Sequence, residues 1–473
     1  MTYAFSRRTL LRGSLGVTAA GAVGALTASG AEGAPQPGPL PSDAAIYGVP
    51  TVDPLISQRA DPWITKPVGG MYYFTASVPE YDRLIVRGAP TIAGLAGAEE
   101  TVIWRRPTSG KMGGHIWAPE LHRIGGKWYI YFAAGDAGEV FRIRTYVMES
   151  ALDDPRDPAG WTLKGQLATE WDGFTLDATS FTHKGRQYLV WAQSEPEIAV
   201  NTSLYIAEMA NPWTLKTKPT RIATPTRSWE VIGFKVNEGP AVLIRNGKVF
   251  ITYSAAATDA NYCMGLLTAS AGDDLLKRES WVKNPDPIFV TNEATKRFGP
   301  GHNSFTVAED GVTDVLVYHA RDYKAITGDP LYDPNRHTRV QKVYWHEDGT
   351  PMFGIPVGSG GPIVRLSPSD KPRSFVKHEG DVIRAAHAPR ELELTQFRFV
   401  AAADGTETIQ SVDQPGKFVT VSGTTVSLSA TGTPVTRIAT KGGVTIRVTP
   451  GKYLRHAGGR ITVADKATVF RLS

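Results

Sequence analysis

The stretch GGKWYIYFAA (residues 125–134) starts at a glycine turn and continues as a run of aromatic and β-branched residues, which is typical of a β-strand after a tight turn. Four similar stretches occur elsewhere in the chain. They are GGMYYFTAS (69–77), KGRQYLVWAQ (184–193), NGKVFITYSA (246–255) and TDVLVYHA (313–320). Five related segments in one chain of 473 residues indicate an internal repeat.

The spacing of the five segments predicts the architecture. With Gly70, Gly126, Gly185, Gly247 and Asp314 as markers, the segments lie 56, 59, 62 and 67 residues apart. Repeats of this length, each with several short strands, are typical of propeller blades rather than solenoid turns. Helical repeats are excluded because no long segment has a 3.6-residue periodicity. We therefore expect an all-β chain that begins with a five-bladed β-propeller.

Polar residues recur just before each of these strands. The five upstream segments are QRADPW (58–63), HIWAPELH (115–122), TLDATSF (175–181), VNEGPAV (236–242) and GPGHNSF (299–305). In a blade, the strand before the repeating strand is the innermost one, next to the central channel. The repeat is therefore expected to bring together Asp61, Asp177, Glu238 and His302, which are distant along the chain.

Clustered carboxylates at one channel mouth cannot ionise independently, so their pKa values are driven apart. One carboxylate together with one carboxylic acid is the minimal apparatus for hydrolysing a glycosidic bond. A separation of roughly 6.5–9.5 Å leaves room for a water and predicts inversion, whereas about 5–5.5 Å predicts retention. Taken singly, Asp61 before Pro62 is typical of a turn, Asp177 and Glu238 fit loop positions, and His302 fits a core histidine. Their shared place in successive repeats favours a site.

The same segments resemble glycoside hydrolase family 43. QRADPWI, YYFTASVPEYDR (72–83), HIWAPELH, LDAT, NEGP and GPGHNSF follow in the family's order over roughly residues 45 to 358. The resemblance is closest to the branch of α-L-arabinofuranosidases and exo-arabinanases. It implies a five-bladed propeller and an inverting enzyme that releases terminal α-L-arabinofuranose from arabinan, arabino-oligosaccharides or arabinoxylan side chains.

Residue roles also come from this resemblance. It implies that Asp61 is the general base, that Glu238 is the general acid, and that Asp177 modulates the pKa of Glu238. Trp117 would form an aromatic wall for the terminal sugar. The chemistry would need no cofactor.

Two further roles are implied for the channel and for a late segment of the repeat. His302 would lie at the channel floor, where it contacts the substrate and can hold a structural calcium ion through water. The segment RHTRVQKVYW (336–345) resembles the one that supplies a substrate-binding arginine, and Arg339 is preferred over Arg336.

Other functions on the same fold stay open at this point. A β-xylosidase or an endo-arabinanase would share the propeller, because a furanose and a xylopyranose can present similar hydroxyls. A sugar-binding propeller without catalysis is the alternative from another class. The segment SVPEYDR (77–83) favours an arabinofuranoside as substrate.

A second domain is expected behind the propeller. We assign the propeller to residues 40–358, a Ser- and Pro-containing linker to 359–373 and a β-trefoil-like domain to 374–473, because SFVKH (374–378), KFVTV (417–421) and KYLRH (452–456) form a weak threefold repeat. The domain resembles the arabinofuranose-binding modules of family 42. That resemblance implies one sugar pocket at His456 and Asp465, whereas the other two units lack a matching acid or histidine. A trefoil that has lost sugar binding is the alternative.

The chain begins with a twin-arginine segment, SRRTLLRG (6–13), before an apolar stretch. Residues 1–34 are predicted to be a Tat-type signal peptide, with an ordinary Sec signal as the alternative, and the protein is expected outside the cell. Cys263 is the only cysteine, so no intrachain disulfide can form. The net charge of +5 is spread without Lys/Arg runs, which argues against nucleic acid as a partner. The expected partners are arabinose-containing cell-wall carbohydrates, with no membrane association after signal removal.

Overall fold

The computed structural model describes residues 52–387 and 391–473, so the predicted signal peptide lies outside the described residues. Five antiparallel sheets follow one another along the chain, and the first strand of each sheet packs against the first strands of its neighbours. The first strand of the first sheet also packs against that of the last, which closes a ring of five. The predicted five-bladed β-propeller is confirmed.

Each blade is a meander in which sequential strands pair. Blade 1 contains β1 (Ala60–Ile64), β2 (Tyr72–Ser77), β3 (Arg83–Ala89) and β4 (Thr101–Arg105). Blade 2 contains β5 (Ile116–Ile124), β6 (Lys127–Asp136), β7 (Glu139–Ser150) and β8 (Trp161–Gln166). Blade 3 contains β9 (Thr175–His183), β10 (Arg186–Gln193) and β11 (Ser203–Asn211), whose outer edge pairs with β12 (Thr214–Leu215) and β13 (Thr220–Ala223).

The last two blades close the ring. Blade 4 contains β14 (Asn237–Arg245), β15 (Lys248–Ala255), β16 (Cys263–Ser270) and β17 (Val282–Lys283), and blade 5 contains β18 (Phe298–Val307), β19 (Asp314–Arg321) and β20 (His337–Lys342). The segment before β1 completes blade 5, because Ile56 bridges Thr338 of β20 and accepts a hydrogen bond of 2.9 Å from its N–H. The start and the end of the propeller therefore share one blade.

The repeating segments that predicted the fold are the second strands of the blades, β2, β6, β10, β15 and β19. Their side chains are almost all buried, on both faces, because each second strand is covered by the two neighbouring blades. This explains why the sequence shows continuous apolar runs instead of an alternating pattern. The turns before four of these strands contain a glycine with positive φ, at Gly70, Gly126, Gly185 and Gly247.

The C-terminal domain is built from short strands in three similar units. After the small hairpin of β21 (Tyr344–Trp345) and β22 (Pro351–Met352), its strands are β23 (Ile363–Val364), β24 (Leu366–Pro368), β25 (Ser374–Glu379), β26 (Val382–His387), β27 (Phe397–Ala401), β28 (Glu407–Ser411), β29 (Phe418–Ser422), β30 (Thr425–Ser429), β31 (Thr436–Thr440), β32 (Gly443–Thr449), β33 (Lys452–Ala457), β34 (Arg460–Ala464) and β35 (Phe470–Leu472). The hairpins β25–β26, β29–β30 and β33–β34 start with the three repeat motifs, and their second strands pair with one another. This threefold arrangement is the predicted trefoil-like fold.

Part of the segment predicted as a linker, 359–373, is built into this domain. Strand β23 pairs with β27, and β24 pairs with β35, the last strand of the chain. The fourth strand of the third unit is therefore β24, which comes from the start of the domain. Because residues 359–373 contain several Ser and Pro residues, the sequence predicted a linker where β24 lies.

The remaining regular structure consists of short 3-10 turns. Within residues 52–387 and 391–473 these are Ala93–Ala96, Pro158–Gly160, Ser228–Glu230, Arg278–Ser280, Pro330–Tyr332 and Glu393–Thr395. None of the described helical segments is long and apolar enough to cross a membrane.

Candidate active site

The first strand of every blade is bulged at the same place. The register slips once or more in β1, β5, β9, β14 and β18, and one slip in each strand contains a residue with a positive φ of 42–55°. These residues are Asp61, Ala118, Asp177, Gly239 and His302. Positive φ is costly for residues other than glycine and is found at sites where the fold imposes it. The five bulges mark one ring position and re-aim the chain at the channel mouth.

Four of the five bulge residues line a cavity of about 360 Å³ at this mouth, together with Glu238 and Arg336. This volume lies in the range of small-molecule sites, roughly 300–1,000 Å³. Asp61, Asp177, Glu238, His302 and Trp117, predicted from blades 1 to 5, all meet there. Their sequence-predicted convergence is therefore observed.

Asp61 is buried and held by several donors. The Ser77 hydroxyl donates to Oδ2 over 2.6 Å, and Arg336 Nη1 donates to Oδ1 over 3.3 Å. Burial alone would raise the pKa of Asp61, but His302, Arg336 and His319 favour the charged form and hold the pKa well below its usual range. Asp61 is thus an ionised carboxylate at neutral pH.

Asp177 and Glu238 have the opposite electrostatics. Burial raises the pKa of Asp177 well above its usual range, and the neighbouring Glu238 and Asp61 carboxylates add to this. Burial also raises the pKa of Glu238 to about 7, Asp61 adds to the rise, and Tyr262 and Arg336 oppose it. The pocket therefore combines one ionised carboxylate with two acids that hold protons much more tightly.

Two contacts fix the position of Glu238. The N–H of Gly239 donates to Asp177 Oδ2 over 2.9 Å, and the Tyr262 hydroxyl donates to Glu238 Oε1 over 2.8 Å. Glycine is favoured at 239, because φ is 53° and a Cβ there would lie only 3.1 Å from the His302 ring. Asp177 therefore ties down the main chain beside Glu238.

A buried cluster supports the other side of Glu238. Glu230 is fully buried and accepts hydrogen bonds from Asn237 Nδ2 over 3.0 Å and from the Tyr253 hydroxyl over 2.8 Å, and Lys283 neutralises it at 2.5 Å. Since Asn237 precedes Glu238, this cluster anchors the start of β14. The sequence offered no signal for it, because its members come from four separate segments.

Trp117 and His302 form part of the wall and floor. Trp117 stacks on His115 with ring centroids 5.0 Å apart and meets Tyr81 edge-on at 5.8 Å. His302 Nδ1 lies 3.3 Å from Asp61 Oδ1, and burial lowers the pKa of His302. An aromatic wall beside charged groups suits a sugar, which has apolar C–H faces and polar edges.

The choice of Arg339 over Arg336 is corrected by the structure. The side chain of Arg339 is buried away from the pocket, where it pairs with Asp53 and with Asp322 at 2.8 Å. Arg336 contacts Asp61 and donates to the Tyr81 hydroxyl over 2.8 Å. The two arginines are an odd number of residues apart in an extended segment, so they point to opposite faces.

In the C-terminal domain the structure does not bring His456 and Asp465 together. Asp465 is exposed and pairs with Lys452 at 2.5 Å, while His456 Nδ1 lies 3.6 Å from Asp370 Oδ2. Asp370 stands two residues after β24, the fourth strand of its unit. The sequence could not pair these residues easily, because the acid comes from the other end of the domain.

The first unit has an equivalent pair. His378 Nε2 lies 2.9 Å from Asp413, which stands two residues after β28, the fourth strand of that unit. The expectation that this unit lacks a matching acid is therefore corrected, because Asp413 is the acidic neighbour of His378. The middle unit has Val421 and Gly451 at the two matching places.

The residues around His302 bear on the predicted calcium ion. Among the described residues no three His, Cys, Asp or Glu side chains form a cluster that could hold a metal. An ion at His302 would need main-chain carbonyls and waters for most of its ligands. Calcium stays a prediction from the resemblance.

The mouth of the five-bladed propeller thus holds an ionised carboxylate, Asp61, beside carboxylic acids that keep their protons, and this arrangement is that of a glycoside hydrolase. Residues 52–351 match the family described as glycosyl hydrolases family 43, and the chain belongs to this family.

Several known proteins are similar to this chain. It is 55% identical over 372 residues to an extracellular exo-α-(1→5)-L-arabinofuranosidase of Streptomyces avermitilis, covering 78% of this chain and 77% of the relative. It is 50% identical over 425 residues to α-L-arabinofuranosidase 43 of Humicola insolens, covering 87% of each chain. The crystal structure of an α-L-arabinofuranosidase from Lactobacillus brevis is 56% identical, with a TM-score of 0.64 over 66% of this chain and 98% of that chain.

Proposed function

We propose that this protein is an exported, exo-acting α-L-arabinofuranosidase that hydrolyses terminal arabinofuranosyl groups of arabinan, arabino-oligosaccharides or arabinoxylan side chains with inversion. The observation that carries the proposal is the opposed protonation of Asp61 and Glu238 in one pocket. The activity in the names of the relatives supports arabinose as the sugar, and the word extracellular in one of those names supports export.

In the proposed mechanism Asp61 takes a proton from a water molecule, whose oxygen forms a bond to the anomeric carbon. The bond from that carbon to the leaving oxygen breaks, and Glu238 donates its proton to that oxygen. Asp61 ends protonated and Glu238 ends ionised, so charge is balanced before exchange with solvent. Burial and the Asp61 carboxylate raise the pKa of Glu238 and so keep it protonated, while Asp177 positions Glu238 through the N–H of Gly239.

Further roles belong to the same proposal. Trp117 and His302 would contact the terminal sugar, and Arg336 would hold Asp61 ionised and in place. A sugar-binding role of the C-terminal domain near His456 is proposed with Asp370, rather than Asp465, as its acidic neighbour.

The substrate and stereochemistry can be tested together. We expect rapid hydrolysis of an aryl α-L-arabinofuranoside, at least 100-fold slower hydrolysis of an aryl β-D-xylopyranoside, and arabinose as the first product from linear arabinan. Proton NMR of the first turnovers should show β-L-arabinofuranose before mutarotation. Release of longer oligomers would instead indicate an endo-acting enzyme, and initial α-anomer would contradict inversion.

Replacing Tyr262 by Phe should move the basic limb of the pH profile to higher pH. The Tyr262 hydroxyl donates to Glu238 and favours its ionised form, so its removal raises the pKa of Glu238 above about 7. One neutral hydrogen bond corresponds to about 0.5–1 pH unit. The measurement is kcat/KM against pH. The control is Tyr72→Phe in blade 1. It removes a hydroxyl that donates to the main-chain oxygen of Val307, and it should leave the basic limb in place.

A further inference from the structure

A second crevice, of about 430 Å³, lies between the propeller and the C-terminal domain. One wall is the β21–β22 hairpin with Trp345 and Met352, and the other contains Arg365, Arg373 and Phe375. Its volume is within the range of small-molecule sites, and such sites occur preferentially between domains. Asp61, Asp177 and Glu238 do not line this crevice, so it is separate from the propeller pocket described above.

Arg365 is the unusual residue of this crevice. It is only 5% exposed, its guanidinium lies 3.5 Å above the Phe375 ring and 5.4 Å from the Tyr344 ring, and Nε donates to Thr395 over 2.9 Å. Among the described residues no carboxylate lies within ion-pair distance of this guanidinium, and none accepts a hydrogen bond from its two terminal nitrogens. The rings and Thr395 hold the group in one plane without neutralising it.

A buried arginine without an anion is costly, and buried charges are ordinarily paired. Burial lowers the pKa of Arg365 to about 10, which still leaves it charged at neutral pH. By contrast, the buried Arg297, Arg321 and Arg339 of the propeller all have aspartate partners. Arg365 therefore has unused donors toward a crevice that an outside molecule can enter.

The remaining wall indicates what kind of anion fits. A guanidinium presents a flat pair of donors that matches a carboxylate. Half-buried Trp345 offers an aromatic face in the same crevice, and exposed Arg373 adds a second positive charge. Two carboxylates also line the crevice, but Glu347 lies 3.5 Å from His387 Nε2, and Asp348 accepts hydrogen bonds from Thr350, so neither is paired with Arg365. A planar anion attached to a ring with apolar C–H faces would use all three groups.

We propose that this crevice binds a uronic acid residue, with its carboxylate on Arg365 and its sugar ring against Trp345. The enzyme would thereby hold an acidic part of a polysaccharide while the propeller pocket acts on another part. The proposal concerns a separate site and does not depend on which sugar the pocket hydrolyses.

Titration calorimetry of the full chain with methyl α-D-galacturonoside tests this proposal, with methyl α-D-galactoside as the neutral partner of identical ring shape. We expect binding of the acid at least tenfold tighter than binding of the neutral sugar. Arg365→Met should weaken binding of the acid at least tenfold, and Trp345→Ala should weaken it several-fold. Arg384→Met removes an exposed charge outside the crevice and should change nothing.

Hydrolysis of a neutral aryl arabinofuranoside and the melting temperature report whether each variant is folded. If Arg365→Met does not fold, Trp345→Ala and Arg373→Met decide the outcome in its place. Equal affinity for the two glycosides, or binding of the acid that survives these substitutions, would overturn the proposal. Inorganic phosphate that binds as tightly as the galacturonoside would show a simple oxyanion site and would overturn the assignment to a sugar.

Discussion

Replacing Asp61 by Asn should lower kcat by about 10²–10⁴-fold, the range expected for loss of a general base. Asparagine keeps the size of the side chain and an oxygen that can accept from Ser77 and Arg336, but it cannot take a proton from water. Since water attack is impaired whatever the leaving group is, the loss should be similar on arabinobiose and on an activated aryl arabinofuranoside. Steady-state kinetics on both substrates provides the measurement.

The control for Asp61→Asn is Asp314→Asn. Asp314 is also buried and paired with an arginine, Arg245 at 2.9 Å, but it lies outside the pocket. Its variant should lose some stability and keep kcat. A propeller that only binds sugar would show no background hydrolysis for Asp61→Asn to remove.

Replacing Glu238 by Gln should give a loss that depends on the leaving group. A sugar alcohol leaves poorly without a proton, so kcat on arabinobiose should fall by about 10²–10⁴-fold. A dinitrophenolate leaves without protonation, so its glycoside should be hydrolysed with a loss of about tenfold or less. The descending basic limb near pH 7 should also disappear, because the group responsible for it no longer titrates.

The two variants together distinguish the roles of the two carboxylates. Equal losses on both substrates for Glu238→Gln would contradict its role as the acid. Affinity for arabinose, measured by calorimetry, should change little in either variant, since both keep the shape of the pocket. Loss of binding in parallel with loss of kcat would instead indicate a damaged pocket.

The repeat could be predicted from the sequence because each blade carries its own turn and buried strand. The sequence was less accurate in predicting which residue of each blade occupies the equivalent position at the channel mouth. Asp61, Asp177 and His302 occupy the bulge position itself, whereas Gly239 occupies it in blade 4 and Glu238 comes one residue earlier. The sequence motif located the acid correctly, but the ring equivalence appears only from backbone φ values and strand register.

Blade 2 shows the same limit. Glu120 is the carboxylate of the upstream segment HIWAPELH (115–122), yet the bulge position there belongs to Ala118. Glu120 lies two residues further along β5, is buried, and has His122 Nε2 as a partner at 2.9 Å. Glu120 is thus close to the pocket acids in the alignment of the repeats, but because β5 is bulged between Trp117 and Glu120, its hydrogen-bond partner is His122.

The sequence by itself determined five blades, a threefold second domain and the three carboxylates, since each of these is written into a local segment that repeats or matches a motif. Only the tertiary structure decided which arginine reaches Asp61, which acids stand beside His378 and His456, and that Arg365 lacks an anionic partner. The physical reason is that the protonation and pairing of a side chain depend on burial and on neighbours from distant segments. Those neighbours are set by strand register and ring closure, which local sequence does not record.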